Sequence, residues 1–403
     1  MADDCVRLQW HWKKAGSMFA TTSTQAATAA SGGRDALTRL AGRLGALLRP
    51  ERAEPIGLEI AAQKLHMVQF DSAARESLIR AAISIPYTGG RDALLADGAR
   101  LKALVARALA SRPFHGREVV SCLPATDVNI VTLSYQRAAG EDDTAAIVRE
   151  LRERLKGELD KSVVDYLAIR GDSVETAERN AIVVSAPRER VLAYLAALRH
   201  AGLEPVALDA GPAALARLVS ALDREGRHPN ALLVNFGQSR SYMSVIWGRR
   251  LMLDRELDFG ESQLTARLGK TLDMPEDAAV RLLYEHGFGP ARGAGAAALG
   301  QTICEVLRPE FAALTAEVNK TLIYTASKTR GQSVERVYLL GSIARCPGIA
   351  EMIEGLVAMP VEVVNAFKAF PSRPDAAMPE ELEPVAGLGL ATGLALRGRG
   401  EHG

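Results

Sequence analysis

The sequence predicts an α/β protein built from two related lobes that face each other across a cleft. One structural unit occurs twice. Its first copy runs from Ile56-Gly-Leu-Glu-Ile60 through Met67-Val-Gln-Phe70 to Glu76–Ile85, and its second from Leu232-Leu-Val-Asn-Phe236 through Ser241–Ile246 to Arg250–Leu257. Each copy is an apolar strand ending in an acid or amide, a short polar turn, an alternating strand, a second turn and a third strand. Strand and helix patterns also alternate between residues 180 and 222, the order that builds layered α/β sheets. A length of 403 residues suits two domains, or one bilobal domain with an insertion.

Residues 1–33 are rich in Ala, Ser, Thr and Gly without apolar periodicity, which predicts an extension lacking fixed structure. Trp10 and Trp12 beside Lys13 and Lys14 suit contact with a membrane surface; a start at Met18 accounts for the segment equally well. Over 34–54, Leu37, Leu40, Leu44 and Leu47 share one helical stripe opposite Arg39 and Arg43. Such a helix lies on anionic lipid, or, as the favoured reading, packs on its own domain or is frayed by Gly42 and Gly45. The first lobe is expected over 55–117, with helical spacing from Asp92 to Ala110. An inserted small α/β unit is expected over 118–186, with strands at Glu118–Leu123, Asn129–Ser134 and Asp165–Arg170 and a charged helix at Thr144–Leu159. The chain returns to the first lobe over 187–222. There Ser185 is expected to cap a helix buried through Val191, Leu192, Leu195 and Leu198, followed by a strand Pro205–Asp209 and a helix Ala213–Leu222.

The second lobe is expected over 223–403, with helices opening at Gly260 and Pro275. Gly287–Gly300 reads as a mobile linker, and a long helix from Pro309 to Lys328 turns Phe311, Leu314, Val318, Leu322 and Tyr324 or Thr325 inward. Val337–Ile349 reads as a buried strand, a glycine turn and a helix, and Pro360–Val364 as the last strand.

Composition excludes several classes of function. Lys+Arg 49 against Asp+Glu 48 leaves a net charge of +1, so no overall field favours nucleic acid. Cys5, Cys122, Cys304 and Cys346 are scattered, which argues against a disulfide framework or a zinc site and fits a reducing cytoplasm. The histidines form no metal-spaced cluster. No apolar run reaches about 18 residues, and Val385–Leu396 is too short and too rich in Gly and Ala to span a bilayer.

In a bilobal phosphate-clamping ATPase, hairpin turns from both lobes bind phosphate through backbone amides, and an acid at the end of each first strand holds water on Mg²⁺. Gly57-Leu-Glu-Ile-Ala-Ala-Gln63, Val234-Asn-Phe-Gly237, Ala201-Gly-Leu-Glu-Pro-Val-Ala-Leu-Asp209, Leu314–Tyr324, Leu339-Leu-Gly-Ser-Ile-Ala-Arg-Cys-Pro-Gly-Ile349 and Gly393–Arg397 stand in the order and spacing of such a protein. In these segments the chain resembles the actin-like ATPases, of ribonuclease H-like fold, and within them the PilM family of type IV pilus assembly proteins. The resemblance covers about residues 55–397.

The resemblance implies ATP and Mg²⁺ as cofactors. It points to Gly57, Glu59, Ala61, Ala62 and Gln63 in the first phosphate loop, Asn235, Gly237, Gln238 and Ser239 in the second, and Gly341 and Ser342 at the adenosine turn; Glu59 and Asn235 stand at the metal positions. The chain departs from the family pattern where chemistry is done. Glu59 and Asn235 replace aspartates, Ala61 and Ser342 replace glycines, His66 stands where the family often has lysine, and Gly211 stands where related ATPases place an acid. Phosphoryl transfer depends on charge stabilisation and metal placement, so these departures predict weak or lost hydrolysis with no assigned catalytic residue. Asp209 is the nearest candidate base, and a strand-end cap explains it as well.

For function, the resemblance implies a cytoplasmic scaffold that docks the short tail of a PilN-like inner-membrane protein in a groove beside the inserted unit, peripheral to the membrane and within reach of pilus motor ATPases. An active actin-like ATPase, a small-molecule kinase, and the equivalent scaffold of mannose-sensitive pilus biogenesis or type II secretion remain open alternatives.

Overall fold

The computed structural model describes residues 54–72, 77–155, 161–169, 178–223, 226–227, 229–289, 294–373 and 385–399. The expected extension over 1–33 and the leucine stripe of Arg34–Arg49 lie outside them. In chain order the elements are β1 (Ile56–Ile60), β2 (Lys64–Phe70), β3 (Ile79–Pro86), α1 (Gly90–Ala96), α2 (Gly98–Ser111), β4 (Glu118–Cys122), β5 (Asn129–Gln136), α3 (Asp143–Leu155), β6 (Ser162–Ile169), β7 (Glu178–Pro187), α4 (Arg188–His200), β8 (Glu204–Asp209) and α5 (Gly211–Leu222). There follow β9 (Ala231–Phe236), β10 (Ser241–Trp247), β11 (Arg250–Leu257), α6 (Glu261–Leu272), α7 (Glu276–His286), α8 (Ala294–Lys328), β12 (Arg336–Gly341), α9 (Ile349–Val357), β13 (Val361–Val363), α10 (Ala366–Ala369) and α11 (Gly389–Arg399).

The duplication seen in the sequence is a duplication of sheets. One sheet has the order β3-β2-β1-β4-β8 and the other β11-β10-β9-β12-β13. In each, the hairpin strands pair antiparallel and the last three strands run parallel. The central strands are buried almost without a break because each sheet is covered on both faces. Leu58, Leu65, Met67 and Ile83 face α2 and α4, while Val68, Phe70 and Ala82 face a core shared by the lobes.

That shared core is built by α5 and α11. It joins Leu215, Leu218 and Val219 of α5 and Ala391, Ala395 and Leu396 of α11 to Leu233, Ile246, Tyr338 and Leu340 of the second sheet. The Gly/Ala-rich composition of α11 lets backbone meet backbone. A Cβ on Gly57 would lie 2.0 Å from the Ala391 carbonyl, and one on Gly393 would lie 2.3 Å from that of Ala214. The final helix therefore closes the first lobe, although the sequence assigns all of 223–403 to the second. A strap from the second half also crosses over: Ile79 N–H donates to Pro371 O at 2.9 Å, Arg373 N–H to Ile79 O at 3.0 Å, and Arg373 pairs with Asp71 at 2.6 Å.

The inserted unit is a three-stranded antiparallel sheet, β5-β7-β6, covered by α3 through Ala146, Ile147 and Leu151. Its expected boundary at 118 moves, because β4 pairs in parallel with β1 and β8 and so belongs to the first sheet.

Other expectations are corrected locally. Ser185 does not cap α4; it pairs with Asn129 and Val164 inside β7, which runs on to Pro187. Leu192 points outward at 51% exposure, and Tyr194 takes the buried place. The single helix expected over 92–110 breaks at Asp97, whose side chain accepts from Arg100 N–H and caps α2. The supposed linker before residue 300 is helical from Ala294, and α8 runs through Pro309. Buried Ile303 and Leu307 upstream, with Phe311 and Leu314 downstream, hold the helix together against a proline cost of about 3 kcal/mol. Gly300 allows close packing there, since a Cβ would meet Gly289 O at 2.6 Å. Thr325 faces inward, and Tyr324 is 39% exposed.

Candidate functional site

Register sets the sequence-predicted site residues in one row across each sheet. In the first sheet, Ser84, His66 and Glu59 lie side by side across β3, β2 and β1. Cys122 and Asp209 continue the row across β4 and β8, and both carboxylates act electrostatically on the Cys122 thiol. In the second sheet, Leu340, Asn235, Tyr242 and Glu256 form the matching row.

The first turn is a closed hairpin: Ala61 N–H donates to Lys64 O at 2.9 Å, and Ala62 and Gln63 are exposed at its tip. Tyr87 braces it, donating its N–H to Gln63 O at 2.9 Å and its hydroxyl to Ala61 O. Gly57 does not approach a ligand, because its open side is filled by α11. In the second turn, a Cβ on Gly237 would meet Arg240 O at 2.1 Å, so glycine is needed to close it. Glu261 and Ser262 N–H, at the start of α6, donate to Gly237 and Gln238 carbonyls at 3.1 and 2.8 Å. Ser239 packs against Gly260 in the same corner. The adenosine-type turn leans on this second loop: Ser342 N–H donates to Phe236 O at 2.9 Å, and its hydroxyl lies 3.3 Å from Gly237 O. Gly341 has φ +88°, and a Cβ there would meet Phe236 O at 1.9 Å, so sheet packing fixes that glycine.

Electrostatics separate the sides of the cleft. Burial pushes the Glu59 carboxyl up to about 8 against the pull of Arg91. Burial, then the charges of Lys64 and Arg345, pushes the His66 imidazole down to about 3. His66 is 6% exposed, and its Nδ1 has no partner among the described residues. Asn235 is neutral. The two positions expected to hold Mg²⁺ thus offer one carboxyl, held by burial above the usual carboxylate range, and one amide. Among the described residues no group of three His, Cys, Asp or Glu side chains is placed to hold a metal ion. With an amide at Asn235, the pair offers Mg²⁺ one ionisable ligand fewer than two carboxylates would.

Asp209 is engaged structurally. It is 2% exposed, pairs with Arg217 at 3.0 Å and Arg397 at 3.4 Å, and accepts from Ala210 N–H at 2.9 Å. Arg217 also donates to Gly393 O and Arg397 to Leu208 O, so this carboxylate fastens α5 and α11 to β8. Gly211 leaves the start of α5 without a side chain; Leu390 is the nearest neighbour there.

Arg345 was not singled out in the sequence. Its guanidinium stacks 4.6 Å from the Tyr284 ring centroid, donates to the Tyr284 hydroxyl at 2.8 Å and reaches Ser342 O at 3.3 Å. Its charge also lowers the Lys64 ammonium, after burial. The only clue was its place in the turn after Gly341.

A second concavity lies beside the inserted unit. Ile130 of β5, Asp165 and Leu167 of β6, and Ile182 and Val184 of β7 form its floor, with Ala210, Ala213 and Leu251 opposite.

The sequence matches the family model for the type IV pilus assembly protein PilM over residues 57–399. The chain belongs to that family. Among solved structures it is similar to a PilM-PilN type IV pilus biogenesis complex, at 24% identity and TM-score 0.69, covering 86% of this chain and 99% of that one. It is also similar to the ethanolamine utilization protein EutJ from Carboxydothermus hydrogenoformans, at 15% identity and TM-score 0.48, covering 90% and 98%. A third is MreB5 of Spiroplasma citri bound to AMPPNP, at 12% identity and TM-score 0.44, covering 78% and 92%. No curated protein matches the sequence. The fold is the bilobal actin-like ATPase fold. No helix among the described residues is long and apolar enough to cross a membrane.

Proposed function

We propose that this PilM-family protein is a docking scaffold of a type IV pilus machine that holds the cytoplasmic tail of a PilN-like inner-membrane protein. The observation that carries the reading is the apolar groove between the inserted sheet and the start of α5, with Ile130, Ile182, Val184 and Leu251 around it. A short tail gains affinity by burying apolar side chains in such a groove. The protein would then sit in the cytoplasm, peripheral to the inner membrane through its partner, and meet the pilus motor ATPases there.

In this reading the cleft keeps the shape of an ATPase while metal-dependent hydrolysis is weak or lost. The amide at Asn235 supports it, as does the commitment of Asp209 to two arginines. The test has two arms. Calorimetric titration with the partner's tail peptide is expected to saturate, and binding of neither the tail nor the intact partner overturns the scaffold. Incubation with ATP and Mg²⁺ is expected to release no phosphate above a blank; steady release overturns the non-catalytic part.

A further inference from the structure

The groove beside the inserted sheet is apolar except for two side chains. Tyr166 turns its hydroxyl to Thr144 at 2.7 Å, which leaves Asp165 as the one charged residue. Register places Asp165 in a row with Val184 and Ile130, on the edge strand β6, so its carboxylate stands at the side of an apolar floor. It accepts one hydrogen bond, from the N–H of Tyr166 at 2.8 Å.

Among the described residues no lysine or arginine forms an ion pair with Asp165. The nearby cation, Arg397, is held by Asp209 and by Leu208 O, and Arg217 is held by Asp209 and Gly393 O. A carboxylate half-buried among aliphatic groups without a cation is costly, and an incoming cation removes that cost. Burial, opposed by the Tyr166 N–H and Arg397 and reinforced by Asp209, raises the Asp165 carboxyl to about 6.

We infer that Asp165 is the specificity residue of the groove and that it receives the basic side chain, Lys or Arg, of an otherwise apolar tail segment. The proposal rests on the docking reading above. A basic side chain suits the place because its methylene stem can lie along Val184 and Ile130 while its head reaches the edge strand. Charge-assisted hydrogen bonds of this kind are about twice as strong as neutral ones.

The probe is the synthetic cytoplasmic tail of the cognate PilN-like partner, titrated into the full chain. Asp165→Asn should weaken the tail roughly tenfold, as loss of a charge-assisted bond does. A tail whose basic residue is replaced by norleucine should bind wild type as weakly as it binds the variant. Wild-type affinity should also fall as pH drops through about 6, while the Asp165→Asn chain shows no such fall. An unchanged thermal midpoint for Asp165→Asn establishes that the fold is intact. Equal binding of the native tail by wild type and variant overturns the assignment of Asp165 and leaves the docking reading standing. No binding by wild type overturns both.

Discussion

At the end of β1 and β2, two ionisable side chains sit where the fold discourages charge, and their effects on stability run in opposite directions with pH. His66 ordinarily titrates near 6.5 and is held at about 3, so below 6.5 the unfolded chain takes up a proton that the folded chain refuses. Its contribution is complete above 6.5 and is lost as pH falls toward 3. Glu59 ordinarily titrates near 4.5 and is raised to about 8, so the unfolded chain ionises first and stability declines as pH rises from 4.5 toward 8. In urea unfolding, the stability of wild type relative to His66→Gln should therefore fall as pH drops from 7 to 5; a difference that does not change with pH would refute the buried neutral imidazole. Gly57 makes a second prediction. Gly57→Ala drives a methyl into the Ala391 carbonyl and should cost about 1–3 kcal/mol, read as a lowered urea midpoint with an unchanged m-value. Sequence pattern placed Glu59, Asn235, Gly237 and Ser342 at the cleft. It could not reveal that Gly57 and Gly341 serve backbone packing, or that Arg345 stacks on Tyr284, because those contacts join residues far apart in the chain.

The elements most visible in the sequence were those whose apolar period matched their own burial: β1, β2, β9, β12 and α5. Those misread had local composition overridden by packing. The run from Val385 to Leu396 was too short for a membrane span, and α11 is instead a buried helix whose glycines and alanines admit Ala214 and β1. The glycines before residue 300 likewise suggested looseness, and part of that segment opens a helix of 35 residues. Gly393 tests the point at this scale. Gly393→Leu should separate α11 from α5 and make the first lobe sensitive to protease, while the core around Phe236, Phe259 and Phe311 stays protected; peptide mapping after brief digestion distinguishes this from global unfolding.

Across the whole molecule, two sheets of one topology are joined by a core that neither owns and by the Pro371–Arg373 strap. A core of this kind suits the proposed docking role, in which the inserted sheet presents its groove from the first lobe. The route of α11 has a further outcome for biosynthesis. The flank of β1 that carries Gly57 stays bare on the ribosome until α11 has been made, because that helix covers it. A nascent chain released early would expose a half-finished sheet to chaperones or proteases, so truncated products should be cleared before they can compete for partners.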